Sequence, residues 1–202
     1  MYICYNGKVI EIIKESEEIM NYYIADTHFG HENVIKFDNR PFTDVKEMNQ
    51  ALIDNWNEVV GKNDVVYVLG DFVWKATDNQ WEEIFKLNGR KRLIKGNHDK
   101  THNQYYKRFF ESIKNYEEVK DGDHTVILSH YPLLAYNGSY KGRNVHLYGH
   151  VHTTIENDLI ERLKGYRSPE TPLRIHNVGA MMPHMEYQPK TLTQILERSN
   201  RD

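Results

Sequence analysis

RLIKGNHDK, residues 92–100, is the stretch on which the reading of this chain turns. Leu93 and Ile94 close a short apolar run of strand character. Gly96-Asn97 then breaks it, since both residues tolerate the backbone angles of a tight turn. A turn accounts for Gly and Asn but not for His98 and Asp99 directly behind them. An amide, an imidazole and a carboxylate on one loop at a strand end point to a site, because rigid elements position functional groups on the loops they carry.

The same arrangement recurs outward in both directions. NYYIAD (21–26), VVYVLGD (65–71), KRLIKGN (91–97), TVILSH (125–130), VHLYGH (145–150) and LRIHNVG (173–179) are short, apolar and rich in Val, Ile and Tyr, and read as strands. Asp26, Asp71, Asn97, His130 and His150 close the first five, while His28 and His152 follow Asp26 and His150 by two residues. Val45, Met48, Leu52, Trp56 and Val59 recur at steps of three and four. With Asp44 and Glu47 spaced as a capping box and Gly61 as a stop, they predict a helix. Helices are also predicted over NQWEEIFKL (79–87), ending at Asn88-Gly89, and over NQYYKRFFESI (103–113). VKDGDHTV (119–126) predicts a hairpin about Asp121-Gly122. This alternation predicts an α/β domain, in which loops at the carboxyl ends of strands open onto one crevice.

At 202 residues the chain suits one domain spanning 1–202. Residues 1–19 read as a leading hairpin around Asn6-Gly7 followed by an acidic stretch, and 20–202 as the core. A net charge of -3 with 27% charged residues gives no overall pull toward nucleic acid or anionic membrane. Cys4, the single cysteine, forms no internal disulfide and sits in an alternating run that suits a packed thiol. No long apolar run resembles a leader or a membrane span, which makes the cytoplasm the expected compartment.

The polar strand ends share a chemistry. Their Asp, Asn and His donors, with no thiolate among them, suit a divalent metal of intermediate hardness such as manganese, iron(II), zinc or nickel. Seven donors exceed one four-coordinate site and suit two metals sharing a carboxylate. In extended backbone, residues two apart share a face, so Asp26 with His28 and His150 with His152 are expected to point the same way.

Asp26-x-His28, Gly70-Asp71, Gly96-Asn97-His98-Asp99, His130 and Gly149-His150-x-His152 stand in the order and strand context of the calcineurin-like metallophosphoesterases. The chain resembles that superfamily from about Tyr22 to Gly179, and DTHFGHENVIKFDNRPF (26–42) is similar to its small bacterial and phage members. The resemblance implies a two-layer β-sandwich flanked by α-helices, α/β or in some schemes α+β. It further implies two divalent metal ions per chain, manganese before iron(II), zinc or nickel. Asp26, His28 and His152 would hold the first and Asn97, His130 and His150 the second, with Asp71 bridging. A bridging hydroxide would attack a phosphate mono- or diester in line. His98 would act on the leaving group, with Asp99 orienting it.

Any one of these histidines alone reads as a structural or surface residue; their joint placement reverses that. His31, on the loop after His28, and Arg40 are the candidates for touching substrate phosphate, Arg40 being equally compatible with a surface pairing. NGRKRLIKGNHDK is basic but alternates like a strand with one solvated face, so nucleic-acid binding is the minority reading. Tyr131, Tyr136 and Tyr140 follow His130 on a loop suited either to packing or to stacking on a ring. Trp74 stands where purple acid phosphatases carry a tyrosine ligand, which argues against a tyrosinate-iron centre. The run NVGAMMPHM lacks the acidic residue frequent in small relatives, a difference that bears on the substrate pocket. The expected partner is a phosphate ester, nucleotides included. The rival readings are a catalytically silent protein-binding scaffold on the same fold, a nuclease or cyclic-nucleotide phosphodiesterase, and a metallo-β-lactamase-type hydrolase, whose His-x-His-x-Asp-His run is absent.

Overall fold

The structure, a computed structural model, describes residues 18–198 and, ahead of them, the backbone of two strands. Those strands, β1 (Tyr2–Tyr5) and β2 (Lys8–Glu11), pair antiparallel as a sheet of their own. The predicted Asn6-Gly7 turn between them and the packing of the Cys4 thiol lie outside the described residues.

Two larger sheets carry the rest. β3 (Asn21–Ile24), β4 (Val65–Val68), β5 (Arg90–Ile94) and β6 (Ser112–Lys114) run parallel, and β11 (Lys190–Thr191) closes the β3 edge antiparallel. In the second sheet β7 (Tyr116–Asp121) and β8 (His124–Ser129) form the predicted hairpin, and β9 (Val145–Tyr148) and β10 (Ile175–Asn177) extend it in parallel. Strand alternation explains why the sheets stack. Val126 and Leu128 of β8, with Val145 and Leu147 of β9, join one core with Ile24, Val68 and Leu93. Ile127 and Tyr148, the intervening residues, join a second cluster with Ile160 and Ile175. The result is a two-layer β-sandwich with helices outside it.

Helices α1 (Glu32–Phe37), α2 (Val45–Val59), α3 (Asp78–Ile84), α4 (Gln104–Phe109), α5 (Ile155–Lys164) and α6 (Leu192–Arg198) complete the fold. In α2 the Asp44 side chain accepts from the Glu47 N–H, and Met48, Leu52, Ile53 and Trp56 are buried, as the spacing predicts. Trp56 can be buried because its indole N–H donates to Asn88 O at 3.0 Å. Among the described residues no helix is long and apolar enough to cross a membrane.

Three expectations need correction. The helix predicted over 103–113 stops at Phe109, and Ser112–Lys114 instead pairs with β5, a tertiary contact overriding local propensity. The helix predicted over 79–87 starts at Asp78 behind a Thr77–Gln80 capping box and ends at Ile84. The strand predicted over 173–179 is ordered into a ladder only at Ile175–Asn177. Beyond it the chain crosses to the other sheet: Ala25 N–H donates to Val178 O and Ala180 N–H to Ala25 O, each at 2.8 Å. This seam joins the sheets at the carboxyl ends of their strands.

Candidate metal centre

The strand ends that the sequence marks out come together at this seam. Ligating atoms of Asp26, His28 and His152 lie within 4.8 Å of one another, and so do those of Asp71, His130 and His150. Asp71 lies between the two groups: its Oδ2 is 3.9 Å from His28 Nε2 and 3.6 Å from His130 Nε2. Asn97 Oδ1 is 3.0 Å from His130 Nε2, which places the amide beside the second group. All seven predicted donors therefore face one place, Asp26, His28, Asp71 and Asn97 from loops of the first sheet and His130, His150 and His152 from loops of the second.

The reason paired donors point together differs from the expected one. Asp26, His28, His150 and His152 are not extended; their φ angles are 53°, 52°, 71° and 47°, in the left-handed region. The ladder of β3 and β4 continues irregularly into these loops, with Asp26 N–H donating to Gly70 O and His28 N–H to Asp71 O, each at 3.0 Å. Positive φ at these four residues, and at Asp71 (51°), turns each side chain back over the strand ends. Glycines make room for the carboxylates. A Cβ on Gly96 would lie 2.3 Å from Asp71 Oδ1, and one on Gly149 2.5 Å from Asp26 Oδ2.

The donor atoms fit cations better than they fit one another. His130 Nδ1–H donates to Leu69 O at 2.8 Å, so its Nε2 carries a lone pair that faces Asn97 Oδ1 and Asp71 Oδ2. His28 Nε2 and His152 Nε2 approach to 3.3 Å. Asp26 Oδ1 is fully buried without a hydrogen-bond partner. Burial pushes the Asp26 carboxyl up to about 6, against the pull of His152 and His130, and burial with the neighbouring His152 and Arg40 depresses the His28 ring. Converging lone pairs and a buried orphan oxygen are costly without a positive charge between them. Nitrogen and oxygen donors of this kind suit first-row divalent metals.

Supporting contacts fix the donors, and here sequence reasoning missed a residue. Asp38 Oδ1 accepts from His152 Nδ1 at 2.7 Å, holding Nε2 toward the site. Burial alone would lower the His152 ring, but the Asp38 hydrogen bond and the Asp26 and Asp38 charges raise it. Asp38 is in turn gripped by Arg40 through Nε and Nη2 at 3.0 and 2.8 Å. Arg40 is thus not at the rim as expected. Its side chain is fully buried, and its remaining donors go to Asp26 O and Thr27 O at 3.0 Å and to Met48 Sδ at 3.7 Å. It braces the loop from behind, where a substrate phosphate has no access. The signal for Asp38 was its place in FDNR, two residues before that arginine.

Asp99 also requires correction. Its carboxylate accepts from the Asp71, Phe72 and Gly96 N–H groups at 3.0, 3.0 and 2.8 Å and from Tyr106 OH at 2.9 Å. Its acceptor capacity is spent on the loops of Asp71 and Gly96, not on the imidazole of His98. The neighbouring side chains diverge: Asp99 is buried, whereas His98 remains 39% exposed on the open side. His98 N–H donates to Asp71 Oδ1 at 2.9 Å, and its ring packs edge-on to Trp74 with Nε2 3.9 Å from Asp71 Oδ2. His31 stacks on the other side of this group, 4.5 Å from Trp74 and 5.3 Å from His28 between ring centroids, beside the site as expected.

The sequence matches the calcineurin-like phosphoesterase superfamily domain over residues 20–198. It is 40% identical over 133 residues to the uncharacterized protein MJ1445 of Methanocaldococcus jannaschii, covering 65% of this chain and 68% of that one. It is 30% identical over 163 residues to the Gene 66 protein of Mycobacterium phage L5, covering 65% and 77%. Among solved structures, a protein of unknown function from Aquifex aeolicus superposes with a TM-score of 0.70 at 27% identity, over 90% of this chain and all of that one.

Proposed function

The chain belongs to the calcineurin-like phosphoesterase superfamily, and from that premise we propose that it hydrolyses phosphate mono- or diesters at a dinuclear metal centre. The observation that carries this reading is the pair of Asp/His groups meeting at Asp71. Asp26, His28 and His152 would hold one divalent ion, Asn97, His130 and His150 the other, with Asp71 between them. Manganese is the first candidate, and iron(II), zinc and nickel suit the same donors. When bound, such ions supply Lewis-acid charge for phosphoryl oxygens and activate water.

The protein's own groups do the rest. The His98 amide pins Asp71 Oδ1 and so directs Oδ2 toward the histidines. His98, whose side chain is exposed on the open side, would give a proton to the departing oxygen, and that exposure beside Asp71 supports the role. Asp99 positions the two loops that carry Asp71 and Asn97, and His31 walls the site next to His28. Residues 20–202 form the catalytic core in this reading, and 1–19 an extension.

Metal-loaded protein is expected to cleave p-nitrophenyl mono- or diesters, to lose activity with chelator and to regain it with manganese. His98→Gln is expected to slow alkyl esters by ~10²–10⁴-fold and p-nitrophenyl esters much less, since p-nitrophenolate departs without a proton. Equal losses on both would assign His98 to holding the phosphate. Failure of the metal-loaded protein to turn over any ester in a mono- and diester panel would favour a silent binding scaffold.

A further inference from the structure

His150 belongs to two places at once. Its ring faces Asp71 and His130 in the second donor group, and it also lines a groove of about 650 Å³ between the loop at 131–134 and helix α5. The groove is walled by Tyr131, Leu134, Val151, Leu159 and Ile160. Three of these large apolar side chains are left open to solvent: Tyr131, Leu134 and Leu159 are 48%, 49% and 52% exposed. The Tyr131 ring meets His150 edge-on at 4.5 Å, so the apolar wall begins where the metal centre ends. The size lies within the ~300–1,000 Å³ of small-molecule sites, which are mostly apolar with few polar groups.

Charge decides what such a groove can hold. No lysine or arginine lines it, and its one acidic side chain is Glu156, a carboxylate that accepts from Thr154 Oγ1 at 2.6 Å. A second phosphate or carboxylate on the substrate would meet an anion there without a partner. The groove on the His98 side is the reverse: at about 240 Å³, it carries Lys75, Lys100 and His102 beside Trp74, Asn97 and His98, and its one acidic residue, Asp99, is buried. Two flanks of one centre therefore differ in character, and an uncharged organic group is matched only on the His150 side.

We propose that the substrate's organic group is an uncharged aromatic ring system seated between Tyr131, Leu134 and Leu159, with its phosphoryl group at the metal centre. An aromatic occupant fits because Tyr131 offers a ring for edge or offset packing while the two leucines supply apolar area. This inference rests on the phosphoesterase reading and narrows it to aryl-like or nucleoside-like esters without further charge on that arm.

The test is calorimetric binding of methylphosphonate, phenylphosphonate and 4-carboxyphenylphosphonate to manganese-loaded protein. Phenylphosphonate is expected to bind about tenfold more tightly than methylphosphonate, from burial of one ring, and the added carboxylate to remove the advantage. In Leu159→Asp and in Leu134→Asp the phenyl-to-methyl ratio is expected to fall toward one. Because each ratio is taken within one preparation, a loss of folded fraction cancels. Equal affinities in the unaltered protein, or a ratio that survives both substitutions, would overturn the inference alone. Absence of binding by all three phosphonates to a protein carrying its metals would overturn the phosphoesterase reading as well. Self-association abolished by Leu159→Asp would assign the groove to a second copy of the chain and overturn the proposal.

Discussion

Asp26, His28, Asp71, His150 and His152 all carry positive φ, between 47° and 71°, a region that side chains other than glycine rarely occupy. Each such residue costs ~1–2 kcal/mol, so the strain is concentrated on the groups that would hold metal. It persists because the neighbouring loops leave no alternative, and Gly96 shows how tight they are. Its own φ is not positive, so alanine suits its backbone, yet a Cβ would lie 2.3 Å from Asp71 Oδ1. Gly96→Ala is therefore expected to displace the Asp71 carboxylate, lower metal content sharply and cost ~1–3 kcal/mol of stability. Elemental analysis and urea unfolding check both effects; full metal content would show that Asp71 has freedom this packing denies it. At this scale the donors were legible in the sequence because five of them close apolar runs and His28 and His152 follow two of these by two residues. Their supports were not. The resemblance implied that Asp99 orients His98, but adjacent side chains on this loop part, one inward and one outward. Arg40 read equally as a phosphate contact or a surface pairing, both of which put its charge outside, whereas Asp38 and two backbone carbonyls hold it inside.

In β9, His146 is fully buried with both ring nitrogens committed: Nδ1–H donates to Ile127 O and Nε2 accepts from Leu133 N–H, each at 3.0 Å. Protonation would set Nε2–H against that amide, and burial lowers the ring to about 4. The unfolded chain takes up this proton near pH 6.5 and the folded chain does not until about pH 4. The folded state therefore loses stability as pH falls through that window, on the order of 3 kcal/mol from this residue. Unfolding of chelated protein at pH 7 and pH 5 should show the loss, and His146→Gln should be less sensitive between the two; equal sensitivity would exclude His146 as the cause. The leading strands test a different element. β1 and β2 pair only as a sheet of their own, so a chain starting at Met20 keeps every ladder of the two main sheets. It is expected to retain metal binding and ester hydrolysis, and loss of catalysis in a folded, metal-loaded shortened protein would make residues 1–19 part of the site. Strands and the α2 helix were legible from periodicity and capping. The edge strand β6 was not, because FFESI has helical character and only pairing with β5 extends it.

Across the whole molecule, two parallel ladders end at the same side of a sandwich, and the Ala25–Val178 seam holds those ends together. The sequence could show which residues close each strand; it could not show that His130 and His150 come from a different sheet than Asp26, Asp71 and Asn97. That separation is what makes the site a junction, with Asp71 from one layer facing histidines of both. The central claim is that this junction holds two metals. Protein reconstituted with manganese and freed of excess ion should carry two per chain by elemental analysis, and Asp71→Asn should carry fewer than one, because the shared carboxylate serves both positions. Saturation at a single manganese, or two retained in Asp71→Asn, would contradict the account.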